Sequence, residues 1–263
     1  MAPKKRHLTV SGRCPLWSNN NEDNLNISCL KNGYFRLTNK AILSARKLAF
    51  ESTWLSRENA SFCEKLLTNS KVVFFRKNEP IIRLGEKGSN LYFLIEGSIH
   101  VFVPQANLEM VLSHMVSPSE WFGVFGAFTG ECNIAEYISR TSSCALIVPQ
   151  SQLGLLEDDP AFYKSAAYLL ARSLKRYLEL SAGVSGLNVK ERVRSKLYAL
   201  SGTPSQTEKN EFKLILSQDE LAKLSSTSRT VVSEVLSELA NEGIIIVGYR
   251  HIVIRNRDRL LKE

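Results

Sequence analysis

Residues 217–243 read SQDELAKLSSTSRTVVSEVLSELANEG, and this stretch decides the fold of the C-terminal part of the chain. Ser217 and Glu220 have the three-residue spacing of a capping box, which predicts that a helix begins here. Residues 225–227 interrupt the apolar pattern, and Gly243 ends the stretch as a C′ glycine does. The pattern therefore predicts a helix, a tight turn and a second helix.

The second helix is predicted by apolar residues that recur three and four apart between Val231 and Leu239. Thr227 and Ser228 are both plausible N-caps for it. The opposite face carries short polar groups with one Arg and one Glu, which suits the major groove of DNA, where such side chains donate to and accept from base edges. The predicted base-reading residues are Ser228, Arg229, Thr230, Ser233 and Glu234.

A predicted hairpin follows the second helix. Residues 244–255 form two β-rich runs around a Gly248–Tyr249–Arg250 turn, which is typical of the wing of a winged helix-turn-helix. The alternative is a plain helical hairpin with a polar outer face. The caps, the small Ala222 at the predicted helix crossing and the wing together favour the winged fold.

Charge is distributed unevenly along the 263 residues, whose net charge is +8. Residues 1–50 carry 9 Lys/Arg and 2 Asp/Glu. Residues 51–187 carry 12 Lys/Arg and 14 Asp/Glu, and residues 188–263 carry 13 Lys/Arg and 10 Asp/Glu. This basic balance favours a polyanionic partner without naming it. No apolar run approaches the ~18 residues that cross a bilayer, so we expect no membrane partner and a cytoplasmic protein.

The five cysteines are odd in number, widely spaced and form no C-x-x-C pair. This pattern predicts reduced thiols rather than a zinc site or a disulfide framework, and no metal site is expected. The sequence also lacks a nucleophile elbow, a P-loop or a carboxylate pair in a supporting context, so we predict that the protein is not an enzyme.

The middle of the chain is predicted to be a closed or sandwiched antiparallel β-fold. After a possible helix from Ser56, short β-like runs alternate with glycines, at residues 72–75, 80–84, 91–95, 99–103, 110–114, 121–125, 134–139 and 145–148. A β-roll or jelly roll of this kind commonly encloses a small-molecule pocket.

A long helix is predicted at about residues 161–184, after two acids and Pro160. Its apolar residues fall on alternating steps of four and three, which favours a two-fold coiled coil, although the stripe alternatively packs on the β-domain. A second set, Phe162, Ala166, Leu169 and Ser173, is placed to face the β-domain at the same time. The predicted dimer stripe is Tyr163, Ala167, Leu170, Leu174, Tyr177, Ser181 and Val184.

The predicted fold class is α+β, in four parts. Residues 1–50 are a basic, flexible N-terminal extension with a possible short helix near its end. Residues 51–158 form a β-roll that senses an effector, and residues 159–187 form the dimerisation helix and hinge. Residues 188–263 form the winged helix-turn-helix, entered through a helix that Asn188 and Glu191 cap.

This order of parts resembles the Crp/Fnr family of bacterial transcription factors. The resemblance covers about residues 56–261 and is strongest in LSQDELAKL and SRTVVSEVLSELANEGII, then in YFLIEGSIHVF and WFGVFG. It implies a homodimer that binds an inverted repeat in double-stranded DNA and contacts RNA polymerase. Ser226 stands where the family has a glycine in the helix-helix turn, which predicts a left-handed or altered turn there.

The effector pocket departs from family members that bind cyclic AMP. Val124 replaces the glutamate that holds the ribose hydroxyl, and Ile134 and Ala135 replace the arginine and serine at the phosphate. Because a buried phosphate without a cation is strongly penalised, we expect no cyclic AMP here, but a small apolar or aromatic effector or none. The aligned pocket residues are Phe122, Gly123, Val124, Phe125, Ile134, Ala135, Tyr177 and Leu178.

Other family cofactors lack support in the sequence, so the cofactor stays unassigned. Cys14 and Cys29 do not have the close spacing that the iron–sulfur members use, so we expect no cluster. His100 and His114 lie in the β-region, where a histidine is more often structural than a haem ligand.

The reading helix departs from the family as well. Arg229 matches the family arginine that donates two bonds to guanine, whereas Thr230 and Glu234 replace a glutamate and an arginine, and Ser233 matches a base-contacting serine. These changes predict an altered half-site. The candidate phosphate contacts are Lys190, Arg192, Lys223, Arg250 and His251.

Two functions compete at this point. The first is a homodimeric transcription regulator, in which a bound effector shifts the population between two arrangements of the DNA-binding domains. The second is a ligand-binding or protein-interaction module whose winged domain docks on protein. The acid at Glu234 and the modest charge of the C-terminal part keep the second alternative open.

Overall fold

The computed structural model describes residues 28–29, 35–36, 39–52, 54–58, 60–105, 109–182, 187–201 and 211–261. Strands β1 (Ser28–Cys29) and β2 (Phe35–Arg36) form a short antiparallel pair. Helix α1 spans Asn39–Phe50, and α2 spans Ala60–Leu67 after a 3₁₀ turn at Leu55–Arg57. None of the helices within these ranges is long and apolar enough to cross a membrane.

The β-domain is made of two antiparallel four-stranded sheets, in the orders β3-β10-β5-β8 and β4-β9-β6-β7. The predicted β-roll is therefore confirmed, and most strands begin and end within two residues of the expected runs. The strands are β3 (Lys71–Phe75), β4 (Pro80–Ile82), β5 (Leu91–Glu96), β6 (Ile99–Pro104), β7 (Met110–Val116), β8 (Trp121–Phe122), β9 (Glu136–Ser139) and β10 (Ser143–Val148).

The prediction of a strand over residues 121–125 is wrong in its second half. Gly123 adopts φ +76° and ends β8, and helix α3 (Val124–Thr129) starts directly after it. The left-handed conformation of Gly123 ends the strand, although the hydrophobic pattern on which the prediction was based continues to Phe125. A second short helix, α4 (Gln150–Gly154), was likewise not predicted.

The central strands are buried on both faces, so they belong to two cores. On β5, Leu91, Phe93 and Ile95 pack toward the helices, whereas Tyr92 and Leu94 face the opposite sheet. This alternation follows from the period of two in a strand. It explains why the sequence LYFLI is continuously apolar.

Helix α1 packs onto the β-domain, although the sequence assigned it to a flexible extension. Ala45 and Ala49 are completely buried in the core beside the sheet. The Arg46 guanidinium donates to the Ser70 hydroxyl and to the carbonyl of Thr68. The short helix predicted near the end of residues 1–50 is therefore α1. It packs on the β-domain through Ala45 and Ala49, with Ile42 and Leu48 partly buried beside them, so it does not belong to a flexible segment.

Helix α5 (Pro160–Ala182) leaves the β-domain with one face buried and one face open. Phe162, Ala166 and Leu169 are buried, as predicted for the face toward the β-domain. Ser173 is exposed, and its hydroxyl donates to the Leu169 carbonyl within the same helix. Among the α5 side chains that the structure describes, burial is therefore confined to the first three turns.

The C-terminal unit comprises α6 (Val189–Leu200), β11 (Phe212–Leu214), α7 (Gln218–Leu224), α8 (Arg229–Asn241), β12 (Ile245–Gly248) and β13 (His251–Ile254). The three strands pair antiparallel in the order β11-β13-β12. We call residues 187–201 and 211–261 the DNA-binding domain, because the sequence predicts that this unit binds DNA. The predicted winged helix-turn-helix is confirmed, including both capping boxes and the left-handed Gly243 (φ +69°).

The β5–β6 turn depends on the absence of a side chain at Gly97. This residue has φ +103°, and a Cβ added there would lie 2.2 Å from the Ser143 hydroxyl oxygen and 2.8 Å from the Ser143 Cα. We expect Gly97→Ala to lower the free energy of unfolding by about 2–4 kcal/mol, because strain and overpacking add. Urea unfolding measures this loss.

Gly154→Ala is the matched control, because a Cβ there meets no atom within 4 Å. Alanine is also the better helix former, so this variant should be as stable as the wild type or slightly more stable. Equal stability of Gly97→Ala and Gly154→Ala would contradict the steric account of the turn.

Candidate nucleic-acid interface

The helix pair is built from local hydrogen bonds that the sequence spacing anticipates. The Ser217 hydroxyl accepts from the Glu220 amide at 3.2 Å, and the Glu220 carboxylate accepts from the Ser217 amide at 2.8 Å. Ser226 takes φ +48° in the turn between α7 and α8, as predicted from the missing glycine. The Ser228 hydroxyl, rather than that of Thr227, caps α8 by accepting from the Val231 amide.

The five predicted base-reading residues lie at the N-terminal part of α8, which is the part of a recognition helix that contacts bases. Ser228, Arg229, Thr230 and Glu234 are exposed, and Ser233 is half-buried. Val232, Val235 and the other apolar residues of α8 are buried on the opposite side. The structure thus brings all five side chains to one open face, which we call the reading face.

One neighbour of the reading face was not predicted as a site residue. Asp219 on α7 lies 3.8 Å from the Arg229 guanidinium, and both side chains are mostly exposed. An exposed pair of this kind contributes little stability. The Asp219 carboxylate instead influences the direction in which the Arg229 side chain points. Sequence spacing did not indicate this contact, because it depends on how α7 packs beside α8.

Two of the predicted phosphate contacts have partners within the domain. The Lys190 ammonium contacts Glu238, and this contact raises the pKa of Lys190. Arg192 donates to the carbonyls of Ser225 and Ser226, so it braces the turn between the two helices. These contacts give Arg192 a structural role, and its role toward phosphate stays a prediction.

The other three predicted phosphate contacts are more open. Lys223 is exposed on α7, and Arg250 and His251 lie in and after the turn of the wing. Arg250 adopts φ +56°. It lines a cavity of about 250 Å³, which Lys77 and Arg140 of the β-domain also line. Arg250 is exposed at the edge of this cavity, and its role toward phosphate stays a prediction.

The DNA-binding domain packs on the outer side of strands β6 and β7. Leu112 and Met115 belong to the same apolar cluster as the buried residues of α7 and α8. Beside this apolar contact, Arg140 Nη2 lies 2.8 Å from Glu220 Oε1, and both side chains are about one-fifth exposed. The same glutamate that caps α7 therefore also binds the β-domain.

His100 lies beneath this ion pair. Its ring is 2 % exposed, with Nδ1 3.8 Å from Glu220 Oε1, and Nε2 has no hydrogen-bond partner among the residues that the structure describes. Burial lowers the pKa of His100, and the Arg140 charge lowers it further, against the opposing charge of Glu220. The imidazole is therefore neutral at pH 7.

Aromatic rings fill the interior of the β-roll near the predicted effector pocket. Phe122 stacks on Tyr92 with ring centroids 4.9 Å apart and lies 5.7 Å from the ring of Tyr137. Burial raises the pKa of Tyr137 to about 12, so its phenol stays protonated. The space between the sheets is apolar.

The predicted pocket residues do not come together around one cavity. Gly123 forms the turn before α3, Val124 and Ala135 are buried beside it, and Phe125 is half-buried. Ile134, Tyr177 and Leu178 are instead more than half exposed. Their shared role in effector binding stays a prediction.

A loop contact that the sequence did not indicate holds the turn beside α3. The buried Asn133 amide donates to the carbonyls of Glu86 and Gly88 at 2.8 and 2.7 Å. These bonds position residues 86–90, which line a cavity of about 270 Å³. Asn133 precedes an aligned pocket position, but a single asparagine forms no recognisable motif. The sequence therefore could not have predicted this role.

The predicted dimer stripe is exposed wherever the structure describes its side chains. Tyr163, Leu174 and Tyr177 are about 60 % exposed, Leu170 is 38 % exposed, and Ala167 is exposed. The side chains of Ser181 and Val184 lie outside the described residues. An exposed run of large apolar groups on a helix is typical of a surface that a partner covers.

Comparison with known proteins decides the family. A model of the cyclic nucleotide-binding domain matches residues 72–156, and a model of the Crp-like helix-turn-helix domain matches residues 191–263. These two matches coincide with the β-domain and the DNA-binding domain. The chain belongs to the Crp/Fnr family of DNA-binding transcription regulators.

Relatives of this Crp/Fnr regulator span most of both chains. It is 25 % identical over 195 residues to the cAMP-activated global transcriptional regulator CRP of Pasteurella multocida, covering 73 % of this chain and 93 % of the relative. It is 26 % identical over 190 residues to the transcriptional regulator LdrP of Thermus thermophilus, covering 72 % and 94 %.

Solved structures share the fold. FixK2 from Bradyrhizobium japonicum aligns with a TM-score of 0.62 at 20 % identity, covering 73 % of this chain and 95 % of that one. A CRP/FNR-family transcriptional regulator from Thermus thermophilus aligns with a TM-score of 0.54 at 25 % identity, covering 73 % and 99 %.

Three cysteines of this family member carry free thiols in the described residues. Cys63 and Cys144 are buried, and Cys132 is exposed. Burial and the charge of Glu58 raise the pKa of Cys63 to about 11, so this thiol stays protonated. Within the described ranges no group of three or more His, Cys, Asp or Glu residues is placed to hold a metal ion.

The buried His100 predicts that this Crp/Fnr regulator loses stability in mild acid. Its pKa is lowered in the folded state, so the unfolded chain binds the proton more readily below about pH 6.5. The free energy of unfolding should fall from pH 7 to pH 5.5, with a slope of at most about 1.4 kcal/mol per pH unit from this group. Urea unfolding at several pH values measures the slope.

Glu220 does not interfere in that range. Burial raises its pKa, but the hydrogen bonds from Ser217 and the charge of Arg140 lower it more, so its contribution is lost only in stronger acid. His100→Gln should flatten the slope, whereas His251→Gln in the wing should leave it unchanged. A slope that persists in His100→Gln would contradict this assignment.

Proposed function

We propose that this regulator acts as a homodimer that reads an inverted repeat in double-stranded DNA. The observation that carries the proposal is the open reading face at the N-terminal part of α8, with Arg229 exposed and aligned with the guanine-reading position of the family. Two such faces related by a two-fold axis match half-sites one DNA turn apart. Contact with RNA polymerase remains a prediction from the family.

The dimer is supported by the open face of α5. Leu174 and Tyr177 are both 58 % exposed, whereas Phe162 and Leu169 on the other face are buried in the β-domain. Burying such a stripe against its copy removes apolar area from water, at about 25 cal/mol per Å². The narrow a/d spacing fits a two-stranded coiled coil.

We further propose that cyclic AMP is not the effector. The positions aligned with the ribose and phosphate contacts hold Val124, Ile134 and Ala135, whose side chains offer neither charge nor hydrogen bonds. Ala135 packs in the same apolar cluster as the stacked Tyr92 and Phe122 rings. Such surroundings disfavour a charged nucleotide and suit a small apolar or aromatic ligand.

The base-reading role of Arg229 is tested by selecting duplexes from a random pool with the purified chain. The wild type should enrich an inverted repeat, and the enriched sequence should not change when cyclic AMP is added. Arg229→Ala should weaken binding by about 1–3 kcal/mol at the guanine that it reads and relax the preference there.

Arg255→Ala is the control, since Arg255 is an exposed arginine of the same domain that faces Glu211 rather than the reading face. It should keep the selected sequence. An equal loss for every sequence in Arg229→Ala would contradict base reading. Salt-sensitive binding with no enriched repeat in the wild type would favour the protein-interaction alternative instead.

The dimer is tested by placing a charge in the exposed stripe of α5. Leu174→Glu puts two carboxylates against each other in the predicted coiled coil, so we expect the chain to become monomeric at micromolar concentration. Sedimentation equilibrium measures the mass. Lys175→Glu, next to the stripe, should remain dimeric, and a dimeric Leu174→Glu would contradict the assignment of this face.

A further inference from the structure

The contact between the two domains combines an apolar part with one close ion pair. Leu112 and Met115 of β7 are buried against the DNA-binding domain, and the Arg140–Glu220 pair closes the edge of that contact at 2.8 Å. The two charged side chains are only about one-fifth exposed. A pair this shielded from water is screened less than a surface pair and holds a defined geometry.

Glu220 divides its two oxygens between the domains. Oε2 accepts from the amide and the hydroxyl of Ser217 and so closes the first turn of α7, while Oε1 faces Arg140. Any rotation of α7 away from the β-domain therefore breaks either the cap or the ion pair. Because α7 packs against α8, the direction of the reading face is fixed by the same carboxylate.

The ion pair borders a cavity between the two domains. Lys77 and Arg250 line this cavity of about 250 Å³, together with Thr141 and Ser142. Glu220 and Arg140 line it as well, so the ion pair lies at the edge of the space between the domains.

The contact leaves the reading face free. The domain docks through α7, whereas Arg229, Thr230 and Glu234 remain exposed. A contact that blocked DNA binding would cover the reading face. In this arrangement the reading face instead points away from the β-domain, on which the DNA-binding domain is fixed.

From these observations, and resting on the proposed dimer and inverted repeat, we propose that Arg140 is a positioning residue for DNA recognition. By binding Glu220 it fixes the DNA-binding domain on the β-domain, and it thereby sets the separation of the two reading faces in the dimer. A fixed separation makes binding sensitive to half-site spacing, whereas a released domain pays an ordering cost and tolerates other spacings.

The test compares affinities for three kinds of duplex: the selected inverted repeat, repeats with one base pair added or removed between the half-sites, and a single half-site. Arg140→Gln should lose about tenfold in affinity for the selected repeat and discriminate less among spacings. Its affinity for the single half-site should equal that of the wild type. Fluorescence anisotropy measures all three.

Three further variants separate positioning from a general loss of charge or fold. Glu220→Gln removes the ion pair but keeps a capping-box side chain, so it should match Arg140→Gln, and the double variant should lose no more than either. Arg140→Lys should restore part of the spacing preference. Arg83→Gln removes the same charge from an exposed pair with Glu86 and should behave as the wild type.

Unchanged spacing discrimination in Arg140→Gln, or an equal loss for the single half-site, would overturn the proposal. If the wild type itself prefers no inverted repeat, the proposed function fails, and hydrogen exchange without DNA still tests the contact. Arg140→Gln should then speed exchange in residues 110–116 and 218–224 together, and Arg83→Gln should not. Unchanged exchange in both segments would overturn the contact itself.

Discussion

The Glu220 carboxylate is the interaction on which the arrangement of this regulator depends. It completes the cap of α7, and it meets Arg140 at the surface of the β-domain. The first role is local and the second joins residues 80 positions apart in the chain. Through this one side chain, the start of the helix-turn-helix and the orientation of the whole DNA-binding domain are coupled.

The β-domain gives this coupling a rigid base. Its central strands are buried on both faces, and the Tyr92–Phe122–Tyr137 rings occupy the space between the sheets. A filled aromatic interior resists deformation, because close-packed side chains have few alternative arrangements. The β-domain thus combines the fold of a nucleotide-binding module with an interior that suits apolar groups.

The sequence predicted those features that short-range chemistry determines. Both capping boxes and the wing follow from spacing and residue type, and the structure agrees with each. The two faces of α5 also follow from spacing, and the structure agrees except at Ser173, which is exposed. The left-handed Ser226 follows instead from the resemblance to the family, which has a glycine there. The features that it missed depend on distant contacts. In the sequence, Arg140 resembles an ordinary turn residue, Asn133 an isolated amide and α1 part of a tail. Their roles depend on contacts that only the fold creates: Arg140 with Glu220, Asn133 with Gly88, and α1 with the sheet.

If the Arg140–Glu220 pair holds the DNA-binding domain on the β-domain, the two domains of one chain move as a single body in solution. Amide ¹⁵N relaxation of the deuterated protein without DNA measures this most directly, by giving rotational correlation times for residues 71–148 and 211–261 separately. The docked arrangement predicts the same correlation time for both segments. A clearly shorter time for residues 211–261 would mean that the DNA-binding domain tumbles on its own, and it would contradict the account.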